Sequence, residues 1–149
     1  MVYLDAFVPQ DGQSMLDMIP PDRRSPMEAL VQAEGKGWLL PRFAMAPWEK
    51  FLPAAWRVTD EADLRWMLAR LRPTPFGHFK DSVRRTNPAA EKLPRTYIRC
   101  PQWPQPGFDR YAEMAQRTGG WHYRELTTSH VPFVTNPREL ADLLLQIAT

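Results

Sequence analysis

The stretch that decides the fold is Trp121–Thr149, WHYRELTTSHVPFVTNPRELADLLLQIAT. Trp121 to Leu126 is rich in strand formers and reads as a β-strand. A short loop follows, and it carries His130. Pro137 to Ile147 then reads as a helix, because Leu140, Leu143, Leu144 and Ile147 recur on one helical face. Imidazole is the side chain that changes charge near neutral pH. His130, displayed on a loop between a strand and the closing helix, is therefore the residue of this stretch to weigh as a candidate site residue.

Working outward, two more strands come into view. Val2–Tyr3–Leu4 and Ala6–Phe7–Val8 form an apolar run that stops at Pro9 and the turn residues Asp11–Gly12. The spacing predicts a buried strand there and a second one over Thr96–Cys100, TYIRC. Helices are expected at Ser14–Ile19, from the cap Ser25–Pro26 to Glu34, near Pro47–Leu52, from the cap Thr59 to Pro73, over Pro75–Val83, and over Phe108–Arg117 before Gly119–Gly120. Strands alternating with helices predict a parallel sheet with right-handed crossovers. The fold class is therefore α/β, with three parallel strands at about 1–8, 95–100 and 121–127. Residues 11–85 are too many for one crossover. They read as an inserted helical cap, expected to be lined by Trp38, Phe43, Trp48, Phe51, Trp56 and Trp66.

Composition sets the outer bounds. A chain of 149 residues fits one domain and buries about two-thirds of its unfolded surface. The net charge of +2 comes from 19 basic and 17 acidic residues scattered together, which argues against nucleic-acid or membrane-surface binding. Cys100 is the one cysteine, so no internal disulfide forms. The start, MVYLDAFVPQ, has no basic lead and holds Asp5 inside its apolar run, so it does not read as a signal peptide. No apolar run approaches the length of a membrane span. A cytoplasmic location is the expectation. The 16 prolines favour short helices joined by rigid turns.

Three motifs together resemble a known family: VYLDAFVPQDGQS at the start, PRTYIRC in the middle, and WHYREL…SHVPFVTNPRELADLLLQIA at the end. In this order they look like the C-terminal half of an α/β hydrolase, with the cap and the last three strands. The closest likeness is to the esterase group that includes plant methylesterases and hydroxynitrile lyases. The resemblance covers essentially the whole chain. It implies that His130 is the general base, although Ser129 and Val131 stand where the family often has Gly and an acidic residue. It also implies a carboxylate that holds the imidazole tautomer. The loop after the middle strand, Pro101-Gln102-Trp103-Pro104-Gln105, offers no acid. Asp5 sits where some α/β hydrolases place it, and Asp109 is the alternative. An Asp within an apolar run is costly unless paired, which favours Asp5 as the site residue beside His130.

The nucleophile is the gap. A G-x-S-x-G elbow places the serine on a strained strand-to-helix turn. The four serines, Ser14, Ser25, Ser82 and Ser129, do not supply it. Gly12-Gln13-Ser14-Met15-Leu16 has Leu where the second Gly belongs, and Ser14 reads as a helix cap. Cys100 reads as a buried structural thiol, and His78 and His122 as lesser candidates. No residue cluster has metal-ligand spacing and no Gly-rich loop suits a cofactor phosphate, so no cofactor is expected. Two functions follow. One is esterase-type hydrolysis of a small apolar ester, incomplete and inactive in this chain alone because the elbow is missing. The other is a non-catalytic remnant that binds an apolar ligand or oligomerises. The first strand would present an open edge to a missing N-terminal half or to a second copy of the chain.

Overall fold

The computed structural model describes residues 1–42, 46–103 and 106–148. Phe43, Pro104 and Gln105, named above, lie outside the described residues. Two compact units are present. The first comprises residues 1–8, 52–64 and 87–149, and the second comprises residues 9–51 and 65–86.

The first unit is built on a three-stranded sheet of β1 (Val2–Leu4), β4 (Arg95–Arg99) and β5 (Trp121–Glu125), in the order β1-β4-β5. Both pairings are parallel. Val2 lies opposite Thr96, and Arg95 opposite Trp121. β4 is central and buried over Thr96–Arg99, as a strand covered on both faces must be. The helix α6 (Pro106–Arg117) follows β4, and Phe108, Tyr111, Ala112 and Ala115 are its buried stripe. Their i, i+3, i+4, i+7 spacing is what an amphipathic helix needs to cover a sheet.

β1 is shorter than its apolar run. At Asp5 the backbone turns to φ 42°, a left-handed conformation that ends a strand. The run Val2–Val8 is therefore not a buried strand throughout, and Val2 is 38% exposed at the sheet edge. After β5, the short α7 (Pro132–Thr135) and the closing α8 (Pro137–Ala148) complete the unit. The apolar face expected of α8 is only partly covered. Leu140 is buried, while Leu144 remains exposed.

The second unit contains α1 (Met15–Met18), α2 (Pro21–Glu34), α5 (Gly77–Lys80) and an antiparallel pair, β2 (Leu39–Leu40) with β3 (Thr74–Pro75). Helices α3 (Trp48–Ala54) and α4 (Glu61–Leu68) run across the boundaries of the two units in sequence. α2 starts at Pro21, not at Ser25. Pro21 supplies the pre-set φ favoured at the first helical position, and Ser25–Pro26 fall inside the helix. The cap of α4 is Asp60, whose carboxylate accepts from the backbone N–H groups of Ala62 and Asp63, rather than Thr59. Gly35 closes α2 because the chain doubles back tightly: a Cβ there would lie 1.7 Å from the Leu39 carbonyl oxygen. Of the aromatics expected to line a cap, Trp38 and Trp66 instead face solvent, at 57% and 50% exposure. No helix among the described residues is long and apolar enough to cross a membrane.

Candidate active site

The site lies wholly within the first unit, at the C-terminal ends of its strands. Open parallel sheets gather ligand-binding groups there, because helix and strand ends meet and loops carry the side chains. Asp5 follows β1, Arg99 ends β4 with Cys100 just after it, and His130 lies beyond β5. Parallel pairing in register brings these three strand ends side by side.

Asp5 is the hub. Its side chain is fully buried, and its backbone N–H donates to the Ile98 carbonyl at 2.7 Å. That bond continues the ladder with β4 and holds the positive-φ turn. Carboxylate Oδ2 lies 2.8 Å from Nδ1 of His130. Oδ1 accepts from Arg99 Nη1 at 2.7 Å and from the Cys100 backbone N–H at 3.1 Å. A buried carboxylate is tolerated only with such partners.

The loop bearing His130 is tied down by hydroxyl groups. Ser129 Oγ lies 2.8 Å from Thr135 Oγ1 and accepts from the Val131 backbone N–H at 3.2 Å. Thr128 Oγ1 donates to Asn136 Oδ1 and lies 3.3 Å from Thr135 Oγ1. Thr128 and Ser129 are both buried. These bonds join the loop to α7 and fix where the imidazole sits.

Aromatic rings surround the imidazole. Trp103 lies 3.8 Å away centroid to centroid, Trp56 5.2 Å and Phe108 5.9 Å. His130 keeps one-fifth of its side chain exposed. Among the described residues no hydrogen bond engages its Nε2. A ring held through Nδ1 by a carboxylate, with Nε2 unengaged, has the geometry to accept a proton from a hydroxyl brought to Nε2.

The other candidates are placed elsewhere. Asp109 does not reach His130. It accepts from Arg99 Nε and Nη2 at 3.0 and 2.9 Å. Ser14 caps α1 in a capping box, donating to Asp17 Oδ2 at 2.7 Å and accepting from the Asp17 N–H. Cys100 is fully buried, and burial, reinforced by Asp5 and opposed by Arg99, pushes its thiol up to about 12. A thiol so far above neutrality is no nucleophile. His78 and His122 are exposed. Tyr97 is buried beneath the site, its hydroxyl donating to the Ala6 carbonyl at 3.0 Å, and burial with the nearby Asp5 raises its pKa.

Sequence reasoning missed Arg99. Burial works against its charge, yet Asp5 and Asp109 hold it above the ordinary arginine value. The one signal pointing to it was Asp5, whose place in an apolar run demanded a partner. Trp56 and Trp103 were also missed as neighbours of His130, since nothing in their spacing relates them to it.

A parallel sheet whose strand ends present an acid and a histidine defines the class: the chain carries part of an α/β-hydrolase fold. No family model matches it. It is 27% identical to the carbendazim hydrolyzing esterase of Nocardioides sp. (strain SG-4G), over 97% of this chain and 59% of that protein. Among solved structures, it is similar to an extracellular α/β-hydrolase from a Paenibacillus species, itself described as structurally and functionally homologous to tobacco Salicylic Acid Binding Protein 2. The TM-score is 0.76 at 21% identity, covering 97% of this chain and 60% of that one. Tomato Methylketone Synthase I complexed with 2-tridecanone matches with a TM-score of 0.63 at 17% identity, covering 99% and 60%. The chain thus resembles the esterase-like α/β hydrolases, and it spans about 60% of the length of these relatives.

Proposed function

We propose that this chain supplies the base and its orienting acid to an esterase-type α/β hydrolase acting on a small apolar carboxylic ester. In this reading the inserted helical segment at about 11–85 serves as the cap. The nucleophile comes from a segment outside this sequence, seated against the open edge of β1. The observation that carries the reading is the 2.8 Å contact of Asp5 Oδ2 with His130 Nδ1. The incoming hydroxyl gives its proton to His130 Nε2 as it attacks the ester carbonyl, and His130 returns that proton to the leaving alcohol. Water then repeats the exchange on the acyl intermediate. Asp5 keeps the Nδ1 proton in place and stabilises the imidazolium. The carbendazim hydrolyzing esterase supports hydrolysis over other chemistry, and the aromatic rings around His130 favour an apolar substrate.

The test is complementation. Alone, the chain should hydrolyse aryl esters no faster than its His130→Ala variant. Mixed with the part of the carbendazim hydrolyzing esterase that lies outside the match with this chain, it should gain turnover that His130→Ala abolishes. Asp5→Asn should lower kcat by about 10⁴-fold, as expected when the tautomer is lost. His130-dependent turnover by the chain alone would overturn the external nucleophile. Complemented turnover indifferent to His130→Ala would overturn the base.

The aromatic surround of His130 also favours a second reading, an apolar-ligand-binding module without catalysis. Saturable binding of an apolar ester by the chain alone, with no turnover after complementation, would select it.

A further inference from the structure

We propose that Arg99, braced by Asp109, is a positioning residue that aims Asp5 at His130 and seats Trp103 against the imidazole. The proposal rests on the reading of Asp5 and His130 as orienter and base. Guanidinium carries five N–H donors in a rigid fork, and at Arg99 each has an acceptor. Nη1 donates to Asp5 Oδ1 at 2.7 Å and to the Cys100 carbonyl at 2.8 Å. Nη2 donates to the Trp103 carbonyl at 2.9 Å and to Asp109 Oδ1 at 2.9 Å, and Nε donates to Asp109 Oδ1 at 3.0 Å. The fork therefore has no rotational freedom left.

Two consequences follow at the imidazole. Asp5 Oδ1 is already filled, by Arg99 and by the Cys100 N–H, so Oδ2 is the oxygen left for His130. The carbonyls of Cys100 and Trp103 are pinned by the same cation, so the turn they bracket holds the Trp103 ring 3.8 Å from that of His130. Asp109 completes the arrangement electrostatically. Arg99 by itself would neutralise Asp5 and leave it a poor partner for an imidazolium. With Asp109 the three groups carry a net charge of −1, so the assembly stays complementary to an imidazolium formed during the reaction. The side chain of Asp109 is 59% exposed, so its effect is the weaker one.

Lysine offers one compact ammonium and cannot reproduce the fork. The test is long-range ¹H–¹⁵N NMR of the histidine rings in mildly alkaline solution, on the full chain and its Arg99→Lys, Arg99→Met, Asp109→Asn and Asp5→Asn variants. In the parent, His130 should show a single tautomer protonated at Nδ1, while the exposed His78 and His122 show averaged tautomers. Arg99→Lys and Arg99→Met should lose the single-tautomer pattern at His130 alone, and Asp109→Asn should lose part of it. Circular dichroism and melting identify folded samples. Asp109, on the surface, gives a variant that folds even where substitutions of Arg99 do not, and an unchanged His130 pattern in Asp109→Asn overturns the brace. A folded Arg99→Lys protein with the parent pattern overturns the positioning role, provided Asp5→Asn changes it. An averaged His130 in the parent, or one indifferent to Asp5→Asn, overturns the underlying acid–base reading instead.

Discussion

At the scale of the residue, Asp5 concentrates the physics of the site. It is a buried charge at a positive φ of 42°. Asp is among the few residues with a side chain that adopt this conformation readily. Removing its carboxylate leaves Arg99 with a buried cation and one remaining acid. Asp5→Ala should therefore cost about 3 kcal/mol in a denaturant titration, the lower end of what a broken buried pair costs, because Asp109 still holds one side of the fork. A loss below about 1 kcal/mol would mean that water replaces the carboxylate. The two candidate residues that meet at 2.8 Å were legible at this scale. His130 stood out by its place after a strand, and Asp5 by its misfit in an apolar run. Arg99 was not legible, because an arginine in a five-residue strand ordinarily points to solvent. Only the approach of Asp5 and Asp109 from other segments makes it an interior residue.

Elements were legible where local chemistry decides them. The capping box of Ser14 with Asp17 gives α1 its start, although the helix has only four residues. Ser14→Ala should lower stability by about 1 kcal/mol, read as a shift in melting temperature. Acid should act through α1 and through the end of α2. The hydrogen bonds of Ser14 hold Asp17 below its ordinary 3.8, and the hydrogen bond from Arg42 holds Glu34 below its ordinary 4.5. A carboxylate with a depressed folded-state pKa adds stability above its unfolded value, and that stability is lost as pH falls through the folded one. The melting temperature should therefore decline as the solution is acidified below about pH 4.5, with Asp17→Asn and Glu34→Gln each reducing the slope. An equal slope in both variants would show that other carboxylates carry the acid response. Boundaries were less legible than elements. Thr59 and Ser25 had the chemistry of caps, but Asp60 caps α4, and Pro20 precedes an α2 that opens on Pro21. Neighbouring residues compete for one cap site, and the path of the chain into the helix selects between them.

For the molecule as a whole, the sheet edge sets the expectation. Thr96 donates to the Met1 carbonyl and Asp5 to that of Ile98. By the alternation of a parallel ladder, the N–H and C=O groups of Val2 and Leu4 point away from β4. Such an edge pairs with another chain unless it is covered. The expected outcome is concentration-dependent association in sedimentation experiments. Val2→Pro removes one donor from the open edge while leaving the β1–β4 bonds intact, and it should shift the chain toward monomer. A parent chain that stays monomeric at every concentration would discount the edge as a docking surface. The sequence by itself determined the alternation of strands and helices, the parallel sheet, and the two residues whose chemistry was out of place, because periodicity, turn residues and the cost of a buried charge are properties of short segments. The tertiary structure alone decided that Asp5 faces His130, that Arg99 joins Asp5 to Asp109, that Trp56 and Trp103 wall the imidazole, and that Trp38 and Trp66 face solvent. Each of those depends on which strand ends and loops meet in space, and spacing along the chain does not encode a distance across the sheet.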